Sequence, residues 1–186
     1  FYSFEEVRPR LRIWRRGLSA FFLGAALTFP YQTGYALKRF KEIVAPKLSP
    51  CIQGKKLSLE QIVKEHGPIH KKVIENLLKE DKYRRLRDNP YFRTAYVTVA
   101  IESVESSGDR CAVGVYGEKG AMQLIARTAS LYNVKEPFDL EQNIEGGVRY
   151  FADLLVTYLN RGIAPSEAVK FAIAAYNTGQ DNVDWA

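Results

Sequence analysis

Glu105 is the residue of this sequence best placed to do chemistry. It lies in the stretch VTVAIESVESSGDRCAVGVYGEKGAMQLI, residues 97 to 125, where an apolar helix ends in an acid and gives way to a glycine-rich turn. A carboxyl group at the point where an apolar helix meets a cleft is desolvated, which disfavours its anion and keeps a proton available near neutral pH. Such a group can act as a general acid. Gly108, Gly114, Gly117 and Gly120 would let the following backbone fold closely back across that cleft, as a polymer-binding groove requires. Taken alone, these features fit a solvated helix-end glutamate as well as a catalytic one.

Glu102 stands three residues before Glu105 and is expected to share its helix face, acting on it as a like charge that favours the protonated form. It is not expected to be a nucleophile. Two carboxylates on one helix face project to the same side of a bound substrate, whereas a double displacement needs them to flank the bond that breaks. Other chemistries find less material. One Met, two His and two Cys are too few soft ligands for a Cys-rich zinc site or an iron–sulfur cluster, which need about four. His66 and His70 are four apart, but Pro68 between them breaks the helical register that would align them, and no third ligand is evident, so no metal is expected. No glycine pattern sits where a phosphate loop would. In KEDKYRRLRDNP the acids Glu80, Asp81 and Asp88 interrupt the cations and only Tyr83 is aromatic, which reads as a solvated helix end with no nucleic-acid partner.

The elements that must position Glu105 are helices. Strand alternation is scarce, and helical runs are predicted over Pro90 to Glu105, Leu140 to Asn160 and Pro165 to about Asn177, with a shorter helix around Ala121 to Tyr132. Upstream, Ser58 with Gln61 has the form of a capping box, and Ile62, Val63, Ile69, Val73, Ile74, Leu77 and Leu78 recur at helical spacing. Two short helices broken at Gly67–Pro68 follow from that pattern. The chain of 186 residues suits one domain plus an appendage, and its apolar share of 46% is enough for a real core.

Glu105–Ser106, Ala112, Gly117, Gly120 and Met122–Gln123 resemble the signature of the soluble lytic transglycosylase domain family. The same order continues in Thr128–Ala129, in Asn143–Ile144 with Gly146 or Gly147 and Tyr150, and in Ala174–Ala175–Tyr176–Asn177 with Gly179. The resemblance implies a mainly α, lysozyme-like helical domain at residues 89–186 that cleaves the β-1,4 bond between N-acetylmuramic acid and N-acetylglucosamine in peptidoglycan. No metal or cofactor is implied. Glu105 would be the acid and then the base that activates the sugar's own 6-hydroxyl, closing a 1,6-anhydro ring. Met122 and Gln123 would line the groove, Tyr176 would face Glu105, and Ser106 and Asn177 are counted among the substrate-binding candidates, Ser106 also to cap or brace the turn after the catalytic helix and Asn177, with Asn143, to hold turns and helix ends. Two positions depart from the family pattern: Gly114 stands where a Ser is common, and Glu118 where a small residue is usual. The sequence also ends before a further helix usual in the family, so part of the groove is expected beyond it.

Residues 1–88 have no counterpart in that resemblance. They divide into a basic segment with an apolar helix at 1–45 and a linker with short helices at 46–88. Residues 1–96 carry 20 Lys and Arg against 9 Asp and Glu, whereas residues 97–186 carry 7 against 12. Between Arg16 and Lys38 lie 21 residues without a formal charge, just enough for a hydrocarbon core of about 30 Å, although Pro30, Gln32, Thr33 and Gly34 weaken the second half. Arg8, Arg10, Arg12, Arg15 and Arg16 precede this run as a cytoplasmic flank would. Gly24–Ala25–Ala26 has the form of a cleavage site, but a membrane-type anchor helix is the favoured expectation, ahead of a soluble or partner-covered apolar helix, and the start at Phe1 would suit a portion of something longer.

The expected setting is the bacterial inner membrane with the catalytic domain in the periplasm, and the partners are peptidoglycan glycan strands and the membrane. A structural component of an envelope-spanning secretion, motor or phage-entry assembly, with protein partners and weak or no cleavage, is the alternative that Gly114 and Glu118 favour. A hydrolytic lysozyme would share Glu105 but deliver water. Cys51 and Cys111 are equally readable as a disulfide or as two free thiols.

Overall fold

The structure is a computed structural model that describes Cys51 and residues 54–184; the expected apolar helix at 17–37 lies outside the described residues. Among the described residues no helix is long and apolar enough to cross a membrane. Pro50–Ala186 form one compact unit, and its described part is helical, with only isolated bridges Val113 to Lys119 and Lys119 to Leu124 in place of strands.

Helix α1, Leu59–Glu65, starts at the expected capping box: the Gln61 amide donates to the Ser58 hydroxyl, and the Gln61 side chain accepts from the Ser58 amide. His66 joins it to α2, Gly67–Leu77, whose first turn tolerates Pro68 because no intrahelical donor is needed there. A 3-10 helix, Asp81–Leu86, follows. The basic run around it is not merely a solvated end, since Tyr83 and Leu86 are buried and the Arg85 guanidinium donates to the Leu159 carbonyl at 3.1 Å.

The predicted run from Pro90 to Glu105 is two helices, α3 at Pro90–Arg93 and α4 at Tyr96–Ser106. Ala95 breaks them with a left-handed φ of 60°, a conformation that costs an alanine roughly 1–2 kcal/mol. The break lets Phe92 stack on Phe151 at 6.4 Å between centroids while α4 turns Val99, Ile101 and Glu102 inward. Beyond the glycine-rich loop come α5 at Ala126–Leu131, α6 at Leu140–Asn160, α7 at Pro165–Thr178 and α8 at Gln180–Asp184.

Helix α6 is the central pillar. Its Ile144, Val148, Phe151, Leu155 and Tyr158 recur every three or four residues and are buried, as one core-facing stripe requires. It packs against α7, α2, the 3-10 helix and α5. The core therefore includes Ile74, Leu77, Tyr83 and Leu86 from upstream of residue 89. A disulfide joins Cys51 to Cys111, with Cα atoms 5.1 Å apart, and ties the segment before α1 to the loop after α4. Closing a loop of 60 residues contributes about 4 kcal/mol in the chain-entropy model.

His66 and His70 do meet, contrary to the expectation that Pro68 would keep them apart. Pro68 sits within the first turn of α2, so His66 ahead of it and His70 within the helix both turn toward α4. His66 Nδ1 lies 2.5 Å from Glu102 Oε1, and His70 Nε2 lies 2.7 Å from Oε2. The Thr98 hydroxyl stands 3.0 Å from His70 Nδ1. Burial alone would raise the Glu102 carboxyl, but the hydrogen bonds and charge from the two histidines outweigh it and hold the group below its ordinary range.

Removing the carboxylate by Glu102→Ala should cost about 3–5 kcal/mol in denaturant unfolding near neutral pH, because two buried imidazoles lose their acceptor. A folded value below the unfolded one gives stabilisation that is present above the unfolded carboxylate range and lost as pH falls through the folded value. The gap between wild type and variant should therefore close in acid. A loss under about 1 kcal/mol at neutral pH would mean that this cluster does not anchor α4.

Candidate active site

Helix α4 ends immediately after Glu105. Ser107 caps it in the left-handed region at φ 56°, its amide donating to the Ser103 carbonyl at 3.0 Å, and the chain turns away at Gly108. Gly108 has φ 70°, and a β-carbon there would stand 2.8 Å from Ile62 of α1, so both conformation and space require glycine.

The returning loop builds one wall of a cleft. Its Gly114 amide donates to the Glu118 carbonyl at 2.8 Å, and Lys119 and Leu124 exchange two backbone hydrogen bonds of 3.0 Å. Those bonds, with Gln123 at φ 47°, are why the helix expected from Ala121 begins only at Ala126. The fully buried Asn143 of α6 accepts from the Met122 amide at 2.7 Å and donates to the carbonyls of Lys119 at 3.0 Å and Pro137 at 2.8 Å. From α7 the Tyr176 hydroxyl donates to the Met122 carbonyl at 2.9 Å. Both sides of the Met122 peptide are thus held by separate helices.

The cleft so formed has a volume of about 540 Å³ and is lined by Glu105, Gln123, Tyr150, Tyr176 and Asn177 together with the turn from Gly114 to Glu118. Tyr150 and Tyr176 meet at 5.1 Å between ring centroids and give it an aromatic floor. Burial pushes the Glu105 carboxyl up; a hydrogen bond with Asn177 opposes this, and the charge of Glu118 adds to it, leaving the group above its ordinary range. Burial, and then the nearness of Glu105, push the Tyr176 phenol well above its usual value, so it stays a neutral donor. The arrangement can donate a proton to a polymer laid along the cleft.

Of the residues expected to meet substrate, Glu105, Gln123, Tyr176 and Asn177 line the cleft, but two do not. Ser106 is buried, its hydroxyl donating to the Ala121 carbonyl at 2.7 Å. Met122 is also buried and packs beneath Gly147, where a β-carbon would come within 2.7 Å of it. One step along α4 turns the side chain by about 100°, which takes Ser106 off the face of Glu105, and in the loop Met122 is turned inward beside Gln123. The like charge on Glu105 also differs from expectation: it comes from Glu118 on the loop, whereas Glu102 faces the histidines. Residue types alone did not mark Glu118 as a cleft acid; its one signal was an acid four positions after an unexpected glycine. No group of three metal-ligating side chains occurs among the described residues.

The model of the transglycosylase SLT domain matches residues 89–186, more than half of the chain. The chain belongs to this family of lysozyme-like soluble lytic transglycosylases. At the family level its activity is glycan-cleaving transglycosylation with peptidoglycan as substrate. In this SLT domain the segment before the match is part of the same structure: His66 and His70, which hold the helix of Glu105, both precede residue 89.

Asn143→Ala should leave the Met122 amide and two carbonyls without their partner and cost about 2–3 kcal/mol in denaturant unfolding. Hydrogen exchange at the Met122 amide should accelerate by at least the corresponding factor. An amide that stays as protected as in the wild type would show that Asn143 does not hold this wall.

Proposed function

We propose that this protein is a lytic transglycosylase that cleaves the MurNAc–GlcNAc β-1,4 bond of peptidoglycan and leaves a 1,6-anhydromuramoyl end. The observation that carries the reading is Glu105, half-buried and biased toward its protonated form, on the wall of a cleft built by an SLT domain. Glu105 donates its proton to the glycosidic oxygen as the bond to C1 of the muramoyl sugar breaks, and the neighbouring acetamido group stabilises the cationic carbon. The resulting carboxylate takes the proton of the 6-hydroxyl as that oxygen bonds to C1. Glu105 is regenerated and no water is consumed. Tyr176 and Asn143 hold the Met122–Gln123 wall, and Asn177 orients the acid through its hydrogen bond.

The same reading places the domain in the bacterial periplasm, tethered at the inner membrane. Supporting it are the charge-free run of 21 residues behind an arginine cluster and the Cys51–Cys111 disulfide, since such bonds persist in oxidising compartments.

Peptidoglycan digested by the wild type should yield fragments whose muramoyl ends are lighter by one water than hydrolytic ends, as read by mass spectrometry. Glu105→Gln should lower the rate by about a hundredfold to ten-thousandfold with the unfolding midpoint little changed. Because the Glu105 carboxyl is raised, the alkaline limb of the rate profile should lie above the ordinary carboxylate range. Reducing-end hydrolytic products would replace this reading by that of a lysozyme, and full activity in Glu105→Gln would end it.

A further inference from the structure

The two positions that depart from the family pattern occupy one place in space. Gly114 and Glu118 close the turn of the cleft loop, their backbones joined by the Gly114 amide and the Glu118 carbonyl. A β-carbon built on Gly114 would collide with Glu118 Oε2 and come within 2.9 Å of the Glu118 carboxyl carbon. Gly114 is not among the glycines with positive φ, so its backbone would accept a side chain. The glycine is explained chiefly by the carboxylate that fills its side-chain space, with the Gln123 side-chain oxygen 2.9 Å from the same point. That carboxylate also accepts the Tyr116 amide at 3.0 Å, which closes the turn on itself.

We propose that Glu118 is a positioning residue for Glu105: seated in the side-chain space that Gly114 leaves open, its carboxylate pins the loop wall and sets a second acidic group inside the cleft of the acid. The inference rests on the reading of Glu105 as the acid of this cleft. The lining residues identify the source of the charge. From the loop come Glu118 and Tyr116, from α6 Tyr150 and from α7 Tyr176, and Glu118 is the one carboxyl among them besides Glu105. Burial pushes both Tyr150 and Tyr176 up, so they remain neutral. Glu102, on the same helix as Glu105, is engaged by His66 and His70 on the other side. After burial, the Glu118 charge is what pushes the Glu105 carboxyl upward, against the pull of Asn177.

This arrangement makes Gly114 a handle on a carboxylate whose chemistry is left unaltered, with Gln123 the other side chain that a β-carbon there would approach within 3 Å. The end of a glutamate side chain is flexible, so a methyl group at 114 displaces the carboxylate sooner than the backbone. The experiment is a carboxyl-¹³C NMR titration of Glu105 in the wild type, Gly114→Ala, Glu118→Gln, the double variant and Glu118→Asp, with rate profiles on peptidoglycan alongside. Gly114→Ala and Glu118→Gln should each move the Glu105 midpoint to lower pH, the double variant should move it no further than Glu118→Gln, and Glu118→Asp should return part of the shift. The alkaline limb of kcat/KM should move down with the midpoint, with a several-fold loss at alkaline pH. A Glu105 midpoint unchanged in Glu118→Gln, or additive shifts in the double variant, would overturn the proposal. The NMR titration needs no turnover, so a wild type that cuts no glycan yet shows these shifts would refute the enzymatic reading and leave the positioning role standing.

Discussion

A carboxylate shut away from water must be paired, and that constraint orients the helix on which everything else depends. Glu102 and Glu105 are three residues apart on α4 and meet opposite fates. Glu102 is fully buried and takes a hydrogen bond from a histidine on each oxygen; Glu105 is left half-buried at the cleft. Any rotation of α4 that moved Glu105 away from the cleft would pull Glu102 off its histidines, at the cost of an uncompensated buried charge. The helix is thus keyed from behind, by His66 at the junction of α1 and α2 and His70 of α2, neither of which has a place in the SLT signature.

The opposite wall is keyed by a different kind of bond. The Met122 peptide gives its N–H to Asn143 and its carbonyl to Tyr176, so the turn that carries Gln123 is held by the two longest helices of the domain. Gly147 gives Met122 the room to lie flat against α6, where a β-carbon would strike it. Rigid elements place the acid and its facing wall, and the loop from Val113 to Glu118 spans them. Its Val115 and Tyr116 are exposed at the rim, where they present an apolar and an aromatic face to whatever enters.

Electrostatics inside the cleft come from three groups with separate roles. Burial, the largest of the three, favours the neutral form of Glu105, Asn177 favours the anion, and Glu118 adds a smaller push toward the proton. The net effect leaves Glu105 above the ordinary carboxylate range, as suits a group that must first give up a proton. The neutral tyrosines of the floor add surface for a sugar ring without adding charge.

Much of this was legible in the residues. Helical spacing and caps determined α6 and α7 to within a residue or two, and the start of α1 and its separation from α2, since an amphipathic period, a Ser58–Gln61 box and Pro165 act locally. The position of Glu105 at the end of an apolar helix, and the motif blocks that place the chain in its family, are likewise properties of order along the chain. What the chain order left open was decided by contacts distant in sequence: the turning of His66 and His70 onto Glu102, the inward face of Ser106 and Met122, the break at Ala95, and the seating of Glu118 in the space of Gly114. Each depends on which side chains share a volume after packing, and volume is shared only once the helices have closed around α6.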